Sequence, residues 1–186
     1  MSRSKIPIIL FLSADKGGSS YSDADRVIIA NKEVIKEAAG KFGVDPNIVA
    51  GCIYTEQNSN YNIIDVLTDL PLFFMDTSLG IGQVKVSTAV LLAELGYVDV
   101  VGNGASQNLE IAYRLHTDSE YNIYCVAAYL SLHQSQWAET YDISNNPAIL
   151  GSLYNLGEKT PHTNPVPNPF GEDVASCYWY MELLLY

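Results

Sequence analysis

The stretch GVDPNIVAGCIYTEQNS, residues 43–59, decides how the rest of the sequence is interpreted. Asp45 followed by Pro46 is a helix-start signal, because aspartate caps the first turn and proline does not need its missing N–H there. The apolar residues that follow at helical spacing are Val49, Cys52 and Ile53. Glu56 comes seven, four and three residues after them, so it lies on the same inward face near the end of a short helix.

An inward glutamate at this position is expected to have a raised pKa. Burial disfavours the charged carboxylate, and the negative end of the helix dipole disfavours an anion in the last turn. A carboxyl group that donates a proton near neutral pH needs such a rise. The alternative interpretation is an ordinary amphipathic helix whose last turn frays, so that Glu56 reaches solvent.

Length and composition predict one folded domain. A chain of 186 residues with 48% hydrophobic and 17% charged residues has enough apolar surface for a sizeable core. The net charge of −11 argues against nucleic acid and against an anionic membrane surface, because no basic stripe is available to neutralise phosphates. It is compatible with a basic protein partner. No stretch approaches the ~20 apolar residues of a membrane span, so no membrane insertion is expected.

The first residues, MSRSKIPIILFLSADKGG, imitate a secretory signal peptide. Their apolar run is at the lower limit for that class, and a short strand at residues 6–12 is the preferred interpretation. We therefore divide the chain into an N-terminal extension, residues 1–22, and a domain, residues 23–186. The cysteines, which lack metal-ligand spacing and are expected to be buried free thiols, are Cys52, Cys125 and Cys177. The sequence predicts no metal and no cofactor.

Helical periodicity dominates after residue 22 and predicts five to seven helices with little strand. The first helix ends at Gly43, and VSTAVLLAELG has Ser87 as its cap. Residues 58–79 resist regular assignment and predict a loop or a small strand region. The segment TPHTNPVPNPFG, residues 160–171, is expected to be an extended loop before a terminal helix from about Asp173.

Three motifs stand in a definite order: YTEQNSNYN with the inward glutamate, the glycine-rich SLGIGQVKVSTA, and LYNLG. Together they resemble the lysozyme-like superfamily, specifically soluble lytic transglycosylases and goose-type lysozymes, over about residues 35–157. The resemblance implies a mainly α, lysozyme-like (α+β) fold. It also implies a peptidoglycan muramidase, which cleaves between N-acetylmuramic acid and N-acetylglucosamine.

The resemblance assigns Glu56 as the general acid that protonates the glycosidic oxygen. The substrate-binding residues that it implies are Gly80, Gly82, Gln83, Tyr154 and Asn155. Among these, the first three form the cleft floor, Gln83 donates to a sugar substituent, and the Tyr154 hydroxyl orients the glutamate. Glycines let backbone approach a ligand, and a glutamine both donates and accepts hydrogen bonds, which agrees with these roles. Gln57 stands where the family usually has a substrate-contacting serine, and it is the further substrate-binding residue that we predict.

A second carboxylate is usually needed for glycoside hydrolysis. Goose-type lysozymes have aspartates in the segment after the glutamate, and this chain has Asp65, Asp69 and Asp76 there. Asp76 is the first candidate because it comes four residues before the glycine turn, and Asp65 is the second. Aromatic candidates for sugar stacking are Tyr61, Phe73 and Phe74.

Alternatives of two classes, enzymatic and non-enzymatic, remain open at this stage. A lytic transglycosylase, which needs no second carboxylate, would give 1,6-anhydro products; a chitinase-like relative is a further enzymatic variant. A catalytically silent module that binds cell wall or an inhibitor belongs to a different class. The expected partners are peptidoglycan and a basic immunity or inhibitor protein. The expected place of action is the periplasm or the extracellular wall, reached as a secreted antibacterial effector, through phage lysis or from a larger precursor.

Overall fold

A computed structural model describes residues 21–59, 77–99, 104–157 and 166–186. These residues form seven helices and one two-stranded sheet. The elements are α1 (Asp23–Phe42), α2 (Pro46–Ser59), β1 (Ser78–Leu79), β2 (Val84–Lys85), α3 (Val86–Glu94), α4 (Gly104–Thr117), α5 (Ser119–Trp137), α6 (Pro147–Leu156) and α7 (Pro169–Leu185). The prediction of a mainly α, lysozyme-like domain with a small strand region is confirmed.

The sequence signals between α1 and α2 act as predicted. Gly43 ends α1 with φ 65°, a left-handed conformation that glycine adopts without strain. Pro46 is the first residue of α2, and the Asp45 carboxylate accepts a hydrogen bond of 2.8 Å from the Asn47 N–H. Because both helix ends are fixed locally, the face that α2 turns inward follows from the sequence.

Helix α5 lies at the centre of the domain. It contacts α1, α2, α3, α4 and α6, and most of its residues are buried. A helix that is apolar on nearly all sides is typical of such a central position. Helix α6 packs on α5 and α7, and α7 also packs on α2. This arrangement brings one side of α2 close to α5 and α6.

Strands β1 and β2 form an antiparallel hairpin in which Ser78 pairs with Lys85. Its turn is the glycine-rich segment, residues 80–83, and α3 follows directly at Val86. The predicted cap of α3 is wrong: Lys85 is the N-cap residue, and Ser87 lies inside the helix. The hairpin packs against α4 and α5, which fixes the turn beside the central helix.

The predicted start of the terminal helix is also wrong, because α7 begins four residues before Asp173. The Asn168 side chain accepts a hydrogen bond of 2.9 Å from the Gly171 N–H, and Pro169 occupies the first turn. The same Asn-Pro signal begins α6 at Asn146. The proline-rich segment therefore contains a helix start at its end, while residues 158–165 lie outside the described residues.

The three cysteines are free thiols in the structure; Cys52 and Cys125 are buried, as predicted, whereas Cys177 is only half-buried. The described helices include none with the length and apolar character needed to cross a bilayer. Residues 1–20, with the predicted strand at residues 6–12, lie outside the described residues. The boundary at residue 22 stays a prediction.

Candidate active site

Glu56 lies on the inner face of α2, as its spacing predicts. The apolar residues of that face are fully buried, and Glu56 itself is half-buried. Burial, and secondarily the Glu56 carboxylate, raise the pKa of the Cys52 thiol well above its ordinary value. The carboxyl group is therefore close to the apolar interior of the domain.

Glu56 lines a cleft of about 340 Å³. Its walls come from α2, the β hairpin with the first turn of α3, α5, and the end of α6. The lining residues are Glu56, Ser78, Gln83, Val84, Lys85, Thr88, Tyr129, Tyr154, Asn155 and Gly157. The structure thus brings four of the predicted site residues to one cleft, whose size is in the range of small-molecule sites.

The glycine-rich turn is held in a demanding conformation. Gly80 has φ 74°, and Gln83 has φ 50°, which is uncommon for a residue with a side chain. The Gln83 side chain folds back, and its Nε2 donates a 2.9 Å hydrogen bond to the Gly80 carbonyl. Unusual backbone conformations of this kind concentrate at functional sites. One amide proton of Gln83 is thus used within the turn, so the predicted donation to a sugar falls to the other.

The need for glycine in this turn comes from the helices behind it. A Cβ at Gly80 would lie 2.1 Å from the Leu115 carbonyl oxygen, and one at Gly82 would lie 2.4 Å from Cγ2 of Val126. Neither glycine belongs to the residues found to line the cleft. The close approach is therefore to α4 and α5, and contact of either glycine with substrate stays a prediction.

Asn122 on α5 joins this turn to the core, and the sequence interpretation missed it. Its side chain is fully buried; Oδ1 accepts from the Gly82 N–H at 2.9 Å, and Nδ2 donates to the carbonyls of Leu79 at 2.8 Å and Leu115 at 3.0 Å. A buried amide needs such partners. The available signal was an asparagine inside the apolar run of α5.

Tyr154 holds the other side of the turn. Its hydroxyl donates a 2.5 Å hydrogen bond to the Gly82 carbonyl. Burial, and then the nearby Glu56 carboxylate, raise the Tyr154 pKa well above its ordinary value, so the phenol is neutral. The predicted neighbourhood of tyrosine and glutamate is therefore present, but the hydroxyl proton is directed to the backbone.

The side chains of Gln57 and Asn155 form hydrogen bonds that link α2 to the glycine-rich turn and the end of α6 to the start of α7. Gln57 Nε2 donates a 2.7 Å hydrogen bond to the Ile81 carbonyl and so ties α2 to the turn. Asn155 Oδ1 accepts a 2.9 Å hydrogen bond from Nδ2 of Asn168 at the start of α7. Both amides thus brace the cleft, and their contact with substrate stays a prediction.

Tyr129 lines the cleft, and the sequence interpretation missed it as well. Its ring packs edge-on against Tyr154, with centroids 5.9 Å apart, and lies tilted against the His133 ring, with centroids 4.4 Å apart. Burial lowers the His133 pKa to about 4, so the imidazole is neutral at physiological pH. Nothing in a continuous apolar run marks which residue faces a cleft, and only the packing identifies Tyr129.

The remaining predicted site residues lie outside the described residues: Tyr61, Asp65, Asp69, Phe73, Phe74 and Asp76. Within the described ranges, the cleft contains one carboxyl group, that of Glu56. The same ranges contain no group of three or more histidine, cysteine, aspartate or glutamate residues that could hold a metal ion.

Comparisons with known proteins identify the family that this chain resembles. Residues 21–134 match the model of a family described as T6SS, peptidoglycan muramidase Tse3, catalytic domain. This range contains Glu56, the hairpin and Tyr129, and it ends before Tyr154.

A single relative gives a more detailed comparison. Peptidoglycan muramidase Tse3 of Pseudomonas aeruginosa is 27% identical over 139 residues, which are 72% of this chain and 33% of the relative. The chain therefore spans about a third of the length of that protein.

Proposed function

This chain belongs to the family of catalytic domains of the T6SS peptidoglycan muramidase Tse3, and we propose that it cleaves peptidoglycan between N-acetylmuramic acid and N-acetylglucosamine. The family is one of lysozyme-like glycoside hydrolases. The observation that carries the proposal is the position of Glu56, a half-buried carboxyl group that lines a cleft beside Gln83 and Tyr154.

In the proposed reaction Glu56 protonates the glycosidic oxygen as the bond to the leaving sugar breaks. The acid must hold its proton until substrate binds, and an apolar surrounding favours the protonated form. The Tyr129 and Tyr154 rings supply part of that surrounding. Proton donation of this kind contributes roughly 10²- to 10⁴-fold to the rate.

We assign the second carboxylate to the segment between α2 and β1, with Asp76 as first candidate and Asp65 as second. Hydrolysis needs a carboxylate that activates water or attacks the sugar. Glu56 is the one carboxyl group among the described cleft residues, so the partner must come from elsewhere. Asp76 precedes Ser78, a cleft residue, by two positions, which span at most about 7 Å of chain.

Mass spectrometry of the products from purified peptidoglycan tests this proposal. We expect reducing-end muropeptides from the wild type, a loss of at least about 10²-fold in rate for Glu56→Gln, and strongly reduced turnover for Asp76→Asn. Glu94→Gln, which neutralises an exposed carboxylate on α3, is the matched control and should stay active.

Two results would contradict parts of this assignment. Near-wild-type activity of Glu56→Gln would remove the general acid from the mechanism. Mainly 1,6-anhydro products together with full activity of Asp76→Asn would establish a lytic transglycosylase, whose substrate hydroxyl replaces the second carboxylate.

The proposed biological role is that of an antibacterial effector acting in the bacterial periplasm. The family description refers to the type VI secretion system, and the net charge of −11 suits a basic immunity protein in the producing cell. Periplasmic expression in a Gram-negative host should lyse cells with the wild type and not with Glu56→Gln. Unharmed cells would refute the effector role. They would not refute the proposed cleavage reaction, which the assay on purified peptidoglycan tests independently. A basic partner should bind less tightly as the salt concentration rises.

A further inference from the structure

The described residues of the cleft include a cation that the proposed chemistry does not use. Lys85 ends β2 and lines the cleft together with Ser78 and Thr88. Its side chain is exposed, and neither of the two ion pairs formed among the described residues includes it. Although Lys85 is the N-cap residue of α3, its side chain makes no capping hydrogen bond. None of these described contacts uses the ammonium group.

The other basic residues in the described part of the chain lie away from the cleft. Arg26 pairs with Asp23 at 3.3 Å, and Lys36 pairs with Glu33 at 2.9 Å. The remaining ones are Lys32, Lys41 and Arg114, of which the last two lie over aromatic rings. Lys85 is thus the positive group that the described residues contribute to the cleft.

Because the chain is acidic, a positive group in the cleft affects which charge the substrate can carry. A net charge of −11 repels an anionic ligand, and a lysine within the cleft offsets this repulsion locally. Muramic acid carries a carboxyl group on its lactyl ether, and when a stem peptide is attached to it, the peptide carries carboxylates. Glycans built only of N-acetylglucosamine are neutral.

We propose that Lys85 is a specificity residue that binds a carboxylate of the muramyl unit and so favours anionic peptidoglycan over neutral N-acetylglucosamine polymers. This inference rests on the proposed function, because it uses the same cleft. Lys85 does not take part in bond cleavage, so it acts on binding and KM.

Equilibrium binding in a Glu56→Gln background tests the inference without requiring turnover. The ligands are a tetrasaccharide that contains muramic acid, the same tetrasaccharide with stem peptides, and neutral N-acetylchitotetraose. Lys85→Gln should raise the Kd for a muramyl ligand about two- to fivefold, the range expected for an exposed ion pair, and leave the Kd for the neutral ligand unchanged. Lys85→Arg should retain the preference, and ~1 M salt should remove it.

Lys32→Gln is the matched control. It makes the same change in net charge at a residue of α1 that is not among the cleft residues, so it should leave all three affinities unchanged. In otherwise wild-type enzyme, Lys85→Gln should raise KM for depeptidated glycan strands by a similar factor with kcat unchanged.

Each outcome decides the inference. A weakened affinity for both muramyl ligands shows that Lys85 binds the free lactyl carboxylate in one ligand and a carboxylate of the amide-linked peptide in the other. An effect confined to the ligand with stem peptides assigns the contact to a peptide carboxylate. Equal losses for neutral and anionic ligands, no loss with either, or no binding of any ligand overturn it. A wild-type protein that does not cleave peptidoglycan yet binds with this charge preference would contradict the proposed function alone.

Discussion

Replacing Asn122 with alanine should destabilise the domain and loosen the cleft at the same time. The side chain is fully buried and makes three hydrogen bonds: it accepts from the Gly82 N–H at 2.9 Å and donates to the carbonyls of Leu79 at 2.8 Å and Leu115 at 3.0 Å. Alanine removes all three and leaves the backbone partners without them in a buried place.

The size of the effect follows from these bonds. At about 1 kcal/mol for each hydrogen bond, Asn122→Ala should lower the free energy of unfolding by about 3 kcal/mol. For a domain of this length, that corresponds to a Tm about 6–12 °C lower. Because the turn also carries Gln83 and contacts Tyr154, kcat on peptidoglycan should fall at temperatures where the variant is still folded.

Chemical denaturation followed by circular dichroism measures the stability, and product formation well below the Tm measures the activity. Asn31→Ala is the matched control, since Asn31 is half-buried on α1 and its Nδ2 bonds only the Val27 carbonyl one turn earlier. We expect that variant to lose less than about 0.5 kcal/mol. If Asn122→Ala loses no more than the control, Asn122 does not hold the turn and our account of the glycine-rich turn is wrong.

Three further predictions concern the same region. Gly82→Ala should lower the free energy of unfolding by about 1–3 kcal/mol in thermal unfolding, because the new Cβ would lie 2.4 Å from Cγ2 of Val126. Gly40→Ala is the control: its Cβ would have nothing within 4 Å, so it should stabilise α1 by about 0.5–1 kcal/mol. Equal effects of the two substitutions would contradict the packing argument. Tyr154→Phe removes the hydrogen bond to the Gly82 carbonyl, so it should lower the free energy of unfolding, measured by denaturation, by about 1–3 kcal/mol and also reduce activity. An unchanged rate of peptidoglycan cleavage would show that this hydrogen bond does not shape the cleft. Unfolded histidine binds a proton near pH 6.5, but buried His133 does so only near pH 4, so the free energy of unfolding should fall by up to ~3 kcal/mol as pH drops from 6.5 to 4. Denaturation of His133→Leu across that interval should lack this component, and an unaltered pH dependence would refute the assignment.

Local signals in the sequence were sufficient to predict the start and the inward face of α2, the helix that contains Glu56. Asp45 and Pro46 begin α2 through contacts within one turn, and Gly43 ends α1 through its own backbone conformation. The inward position of Glu56 follows from the period of the helix alone. These features depend on residues a few positions apart, which is why a single sequence specifies them.

Signals that have two local meanings were interpreted less well. The proline-rich segment before α7 suits an extended loop, and its last Asn-Pro pair also suits a helix start at Pro169. Lys85 has no capping side-chain bond, so nothing in its residue type marked it as the N-cap of α3. Packing of these helices on the rest of the domain decides between the local alternatives.

Only the tertiary structure decided what the inward faces meet. Periodicity places Asn122 and Tyr129 inside the central helix, but it does not say that one holds Gly82, 40 residues away, or that the other lines a cleft with Tyr154. Nor does the sequence show that the missing side chains of the turn glycines make room for α4 and α5, whatever their contact with substrate. Side-chain spacing determines the direction of a residue relative to its own helix axis. Its partners depend on how distant helices pack, and that information is shared among many residues rather than contained in a local motif.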